Sequence, residues 1–397
     1  MKKFIILTTI LIFYLVAVET MLTVLNVKKV KNGFEYFISR TFNNEEWERA
    51  QEMLENFREI GQRTFRKKDT LLYLYKPFST KYYTINKHGF RGDPITPAEK
   101  NEIRIIAAGA SVMWGIFVPD DETIPALIEQ KINRKYGHTG YNFTLWNLSV
   151  EAFDFQRIFA LTRHFYEDIS PDGMFFYSGY ADVLYASVDG YKKHEPFEDN
   201  GPTTHTIFDM RETTWLAKLT MGTRVGNLIL NEFYTPTDFY PDFRTGTVRN
   251  PEKRKEQLNA FAKSYVEGFY NDVKKATSFY EKRELPTLFY FSPALIFKTP
   301  KSRDEKLFLE LYRKSFPLFN YYAKQCINKV FERDRKEKDL FISLLDIFEG
   351  EKDSIFWDNV HINPRGNKII ADEIFSDMEK RGFIQKLIDR KEKKTDL

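Results

Sequence analysis

The sequence predicts an α/β protein: a five-stranded parallel sheet covered by helices on both faces, preceded by an N-terminal transmembrane helix. Two observations lead there. From about residue 101, short and largely apolar runs alternate with helical stretches, as expected of a parallel sheet covered by helices on both faces. At the other end, residues 4–25 form an almost unbroken apolar run behind Lys2 and Lys3.

That N-terminal run is long enough, at roughly 1.5 Å per residue, to cross a bilayer core. A cleaved signal peptide is the competing reading. It would have a shorter apolar region ending in a small-x-small site, and Leu15-Val16-Ala17-Val18-Glu19 is a poor one. An uncleaved anchor over residues 1–28 is therefore expected. Glu19 fits only if it reaches the interface. Lys2 and Lys3 favour a cytoplasmic N-terminus, although Lys28, Lys29 and Lys31 blur the charge asymmetry. The short tail is the easier end to leave behind, which puts the large domain outside the cytoplasm, in the periplasm or the extracellular space.

Residues 29–100 read as an entry region packing on the main domain. A helical pattern begins at Asn44 and runs through Trp47, Met53, Leu54, Phe57 and Ile60. Residues 70–75 and 81–85 follow as short strands separated by Pro77. The main domain, 101–385, carries strands at 104–108, 143–146, 173–177, 288–291 and 340–344. Helices are expected at 122–136, 155–166 and 367–380. Residues 185–250, rich in Pro, Gly and Thr, interrupt the alternation, either as a functional lid or as a mobile surface loop. Residues 386–397 read as a frayed, charged tail.

Composition excludes several classes of function. Basic side chains number 60 against 56 acidic, with the signs interspersed, so no electrostatic footprint for nucleic acid exists. Cys326 is the only cysteine and reads as core, so neither an intrachain disulfide nor a multi-thiolate metal site can form. No two of the six histidines have the i, i+4 spacing of a helical zinc site, and no cofactor or metal is expected. The matches to the glycosylation pattern at Asn142 and Asn147 fall on or beside a buried strand and read as accidental.

Two segments carry candidate chemistry. Ser111 follows the first strand directly, behind Gly109-Ala110, at the edge where open α/β sheets place ligands. Taken alone, this pattern also fits a simple turn or helix cap. Near the other end lies Phe356-Trp357-Asp358-Asn359-Val360-His361, then Ile362-Asn363-Pro364. A serine hydroxyl needs an imidazole to take its proton, and the imidazole needs a carboxylate to hold its tautomer. Asp358 and His361 are three residues apart, so one tight turn can bring both to the same edge, and Pro364 suits the start of a helix. An Asp-x-x-His sequence by itself is equally a surface turn.

Together, in this order and at these ends, the segments resemble the SGNH or GDSL-like hydrolase superfamily, which has a Gly-Asp-Ser-like block after its first strand and Asp-x-x-His before its last helix. The resemblance covers about residues 84–380. It includes Asn86-Lys87-His88-Gly89-Phe90-Arg91-Gly92, similar to the lead-in of many membrane-anchored bacterial members. It implies a three-layer flavodoxin-like fold and ester chemistry through an acyl-serine, with Ser111, Asp358 and His361 as the catalytic triad.

Two departures stand out. Ala152 occupies the position of the family's second-block glycine, whose N–H serves the oxyanion hole. Ala181, in Gly179-Tyr180-Ala181-Asp182, stands where the family has an asparagine. The oxyanion hole implied is therefore formed by the N–H groups of Ser111 and Ala152, with no side-chain amide at Ala181. Such a loss typically costs about 10²–10³ in rate. Asp182 reads as a loop anchor rather than a reacting group. The expectation is a serine esterase acting on an ester-bearing envelope glycan or lipid. An O-acyltransferase, or a non-catalytic membrane-tethered glycan-binding or assembly module, is the alternative.

Overall fold

Five apolar segments pair into one parallel sheet: β1 (Glu102–Gly109), β2 (Asn142–Ser149), β3 (Gly173–Ser178), β4 (Thr287–Phe291) and β5 (Phe341–Ser343). They lie in the order β2-β1-β3-β4-β5, the flavodoxin-like arrangement. Gly109 aligns with Ser149 on one side and Tyr177 on the other, so the first three strands end level. The structure is a computed structural model that describes residues 14, 16–18, 20–21, 44–61, 64–66, 73–151, 153–189, 251–315 and 318–395.

Every residue of β1 and β3 is buried, as expected of largely apolar strands covered on two faces, and the two charged residues of β1, Glu102 and Arg104, pair with each other. Consecutive side chains of β4 show the covering. The Phe289 ring meets Phe269, in the long helix Pro251–Glu281, at 6.2 Å. The next residue, Tyr290, points the other way and donates to Asp377 at 2.9 Å. Asp377 belongs to the helix Pro364–Lys380, which begins at the expected proline and is capped by Asn363 accepting from Gly366 N–H.

The entry region belongs to the same core. The helix Asn44–Gly61 buries Trp47, Met53, Leu54, Phe57 and Ile60, the residues its periodicity marked, and Phe57 meets the Trp114 ring at 5.2 Å. Of the two strands expected there, Tyr73–Tyr75 and Thr84–Ile85 form; each belongs to a separate two-stranded pair.

Several expectations need correction. The helix expected at 155–166 ends at His164, and a second short one spans Tyr166–Ile169. Of the helices Pro251–Glu281, Arg303–Ser315 and Phe319–Glu337, the sequence pointed only to a solvated helix face at residues 253–255 and to a helical stretch around Cys326, which is buried as expected. The segment read as a frayed tail is helical over Phe383–Thr395. Leu387 and Ile388 are buried, and Lys391 lies 3.6 Å from Asp172. Its apolar residues fall on one face, and packing of that face outweighs the fraying tendency of its charges.

Residues 185–189 complete the helix Tyr180–Asp189, while the rest of the expected insertion, 190–250, lies outside the described residues. So does most of the predicted membrane span. Among the described residues, no helix is long and apolar enough to cross a membrane.

The lead-in segment Asn86–Gly92 has a definite mechanical role. Asn86 accepts from His88 N–H at 2.8 Å, and Gly89 adopts φ +89°, turning the chain so that Arg91 enters the core. The Arg91 guanidinium donates to the carbonyls of Trp114, Gly115 and Val118 and to Asp120, and it lies over the Tyr83 and Trp114 rings. It therefore holds the turn that follows Ser111. Replacing Arg91 by Met is expected to strand these buried carbonyls and to lower stability by about 3–5 kcal/mol, read as a shift in the urea midpoint.

Candidate active site

Ser111 opens a single helical turn, Ser111–Trp114, at the C-terminal end of β1. The close fit beneath it explains the glycine that precedes it. A Cβ on Gly109 would sit 2.6 Å from Met113 Cβ and 2.9 Å from Tyr177 O. From β2, Asn147 Nδ2 donates to Met113 O at 3.1 Å and fixes the turn from the neighbouring strand. A first-turn N–H such as that of Ser111 has no partner within its own helix and remains available to an incoming acceptor.

Asp358 and His361 lie on the loop between β5 and the helix Pro364–Lys380. The loop folds back on itself through a bridge pairing Phe356 with Ile362 and a hydrogen bond from Trp357 N to His361 O. One Asp358 oxygen accepts from the N–H groups of Val360 and His361, at 2.8 and 2.7 Å. The other lies 2.6 Å from His361 Nδ1, and His361 Nε2 lies 2.7 Å from Ser111 Oγ. Three residues chosen from sequence thus form one hydrogen-bonded chain.

The protonation states follow from the surroundings. Burial opposes ionisation of Asp358, but the adjoining His361 and the two backbone N–H groups outweigh it and hold the carboxyl below its usual range. Ionised Asp358 is acceptor-only, so His361 Nδ1 carries the proton and Nε2 presents its lone pair to the Ser111 hydroxyl. The Trp357 ring stacks on the imidazole at 4.5 Å and 8°, and Phe117 in turn meets Trp357 at 5.1 Å. An imidazolium over that ring face gains a cation–π interaction, which favours the charge that develops on proton transfer.

The oxyanion side is less complete. Ala152 lies outside the described residues. Ala181, in the first turn of the helix Tyr180–Asp189, brings only a methyl group. Gly179 before it adopts φ +125°, and a Cβ there would collide with the Phe291 ring at 2.5 Å. Asp182 accepts from Phe155 N–H and Ser178 Oγ, at 2.8 and 2.9 Å, so it anchors its loop as expected. Among the described residues, no cluster of His, Cys, Asp or Glu suits a metal ion.

The GDSL-like Lipase/Acylhydrolase family model matches residues 105–374, well over half of the chain. The chain belongs to this family. It is an ester-hydrolysing serine hydrolase. No curated protein matches the sequence. Solved structures similar to this GDSL-like hydrolase include an acetyl xylan esterase, AlAXEase (15% identity, 69% of this chain and 98% of that one, TM-score 0.33). A GDSL-like lipase from Bacteroides thetaiotaomicron shares 9% identity, over 72% of this chain and 91% of that one, with TM-score 0.34. The psychrotrophic esterase EstA from Pseudoalteromonas sp. shares 13% identity, over 70% and 97%, with TM-score 0.33. At these identities and scores such likenesses add nothing to the family assignment.

Some features of the hydrolase could not be read from sequence. Trp357 is one, although its i, i+4 spacing from His361 was a usable signal. Glu151 is another. Its carboxyl is buried next to Ala152 and, among the described residues, has no hydrogen-bond partner. Burial pushes it up to about 8. Burial and the nearby Asp154 likewise raise Asp182 to about 7, against its hydrogen bonds from Phe155 and Ser178.

Both groups hold a proton in the folded chain that the unfolded chain releases at ordinary carboxyl values. Their contribution is thus fully present below about pH 4 and is lost as pH rises towards 8. Glu151→Gln, which is neutral at every pH, is expected to flatten this decline. Urea unfolding at pH 5 and pH 8 should show the variant gaining on the parent by several kcal/mol at the higher pH, at about 1.4 kcal/mol per pKa unit. An unchanged pH dependence would mean that Glu151 ionises freely in the fold.

Proposed function

We propose that this hydrolase is an esterase with Ser111 as nucleophile, His361 as general base and acid, and Asp358 as the group that orients and stabilises the imidazole. The reading is carried by one observation, the continuous chain from Asp358 Oδ2 through His361 to Ser111 Oγ at 2.6 and 2.7 Å. Ser111 Oγ attacks the ester carbonyl while its proton passes to His361 Nε2. The oxyanion meets the N–H of Ser111 and, from the family pattern, that of Ala152. The carbon–alkoxide bond then breaks, and His361 returns the proton to the departing alcohol. Water attacks the acyl-serine by the same relay, releasing the acid and restoring Ser111.

The substrate proposed is an acylated glycan or lipid of the cell envelope, hydrolysed by a domain tethered at the outer face of the membrane by residues 4–25. The apolar length of that segment supports this. So does the exposure of Tyr14, Val16 and Met21, together with Thr20, whose hydroxyl is satisfied within its own helix by Val16 O at 2.8 Å. Protease accessibility of the full chain in sealed vesicles tests the orientation.

Ser111→Ala is expected to lower p-nitrophenyl acetate hydrolysis by at least about 10³-fold and to abolish labelling by a fluorophosphonate. Equal rates for variant and parent would remove the assignment. Ala181→Asn restores a side-chain donor and is expected to raise kcat by about 10-fold or more. An unchanged kcat would show that another donor already serves the oxyanion.

A further inference from the structure

Among the described residues, one ion pair outside the relay has no side-chain exposure at all, and it is aimed at the loop that carries Asp358 and His361. Lys298 and Glu305 have 0% side-chain exposure, and Lys298 Nζ lies 2.7 Å from Glu305 Oε2. Lys298 comes from the segment after β4, and Glu305 from the first turn of the helix Arg303–Ser315. Lys298 also donates to Pro300 O, at 2.9 Å. The same Glu305 oxygen accepts from Ser302 N–H at 2.8 Å. The opposite oxygen, Oε1, accepts from Ile355 N–H at 2.9 Å and Phe356 N–H at 3.1 Å. All four bonds suit an ionised carboxylate, which is acceptor-only.

The placement of those last two bonds is informative. Ile355 and Phe356 immediately precede Trp357, which stacks on His361, and Asp358, which holds it. On the return strand of the loop, Asn363 N donates to Ile355 O, and Phe356 bridges to Ile362. A second tie runs in parallel, with Ser302 Oγ 2.8 Å from Ser354 Oγ. Beyond the fold-back, Leu295 N donates to Asn359 O at 2.9 Å. The relay loop is therefore suspended from the segment after β4, and Glu305 is its charged support.

A buried ion pair is a poor device for stability alone, since apolar replacements of similar volume often do as well or better. What an apolar replacement cannot do here is accept from Ile355 and Phe356. We propose that Glu305, with its charge neutralised by Lys298, is a positioning residue that fixes the distance between His361 Nε2 and Ser111 Oγ. The proposal rests on the reading of Ser111 as the nucleophile and of His361 as its base.

Two double variants separate positioning from stability. Both Lys298→Met/Glu305→Gln and Lys298→Met/Glu305→Leu remove the charges. Only the first retains a carbonyl that can accept from the two loop N–H groups. The readouts are the rate constant for fluorophosphonate labelling of Ser111 and the split of kcat against KM on p-nitrophenyl acetate, each normalised to titrated active sites. The Gln form is expected to react within a few-fold of the parent. The Leu form is expected to lose about 10–10²-fold in kcat and labelling rate with KM unchanged, as displacements near 1 Å cost elsewhere. Equal rates for the two forms would overturn the proposal.

Should a double variant not fold, Glu305→Asp keeps the charge opposite Lys298 and withdraws the carboxylate from the loop. Slower labelling of its titrated sites supports the positioning role, and the parent's rate refutes it. A parent chain that the fluorophosphonate does not label would instead overturn the nucleophile assignment, and the positioning role with it.

Discussion

The hydrogen bond between His361 Nε2 and Ser111 Oγ joins positions 250 residues apart, and most of the site's construction serves to hold its two ends. Neither end is held by its own segment alone. The serine stands on a single helical turn too short to be stable alone, and the histidine stands on a loop. Each therefore depends on buried charged or polar side chains from other segments: Arg91 and Asn147 beneath the serine turn, Glu305 and Lys298 behind the histidine loop.

The sheet makes this economical. In the order β2-β1-β3 the connections leave β1 and β3 in opposite directions, so a crevice opens at their C-terminal ends. Ser111 follows β1 and Ala181 follows β3, one on each side of that crevice. Parallel strands place all their C-terminal ends at one edge, which is how the loop between β5 and the final layer of helices can also deliver Asp358 and His361 there. The consequence is an edge dense in buried carboxyls. Asp358 is held below its usual range by the adjoining His361 and by donors on both oxygens, whereas burial pushes the Glu151 carboxyl up to about 8. Both are buried, so the contrast comes from the charge of His361 together with the hydrogen bonds that Asp358 accepts.

How much of this could be read in the sequence differs by element. The five strands were legible because strands covered by helices on both faces are largely apolar, even where a polar residue interrupts them. Ser111, His361 and Asp358, which the structure joins by hydrogen bonds, were legible because the chemistry proposed for them constrains residue type, and because Asp358 and His361 share one turn. The helices between 251 and 337 were legible only in part, since their sparse apolar positions lie among charged residues and resemble solvated segments. The charged C-terminal segment was misread for the same reason: its apolar residues gain their meaning from a groove that only the folded sheet provides.

By itself the sequence pointed to the strands and, through residue type and spacing, to Ser111, Asp358 and His361, while the family resemblance alone marked Ala181 as standing where an asparagine is expected. Only the tertiary structure decided how the relay is supported. Glu305 and Lys298 are ordinary charged residues in a linear reading, and nothing local marks them as buried. Their role arises from long-range contacts, Glu305 lying 50 and 51 positions from the loop N–H groups it holds. Contacts at such separation are set by packing, and sequence periodicity carries no record of them.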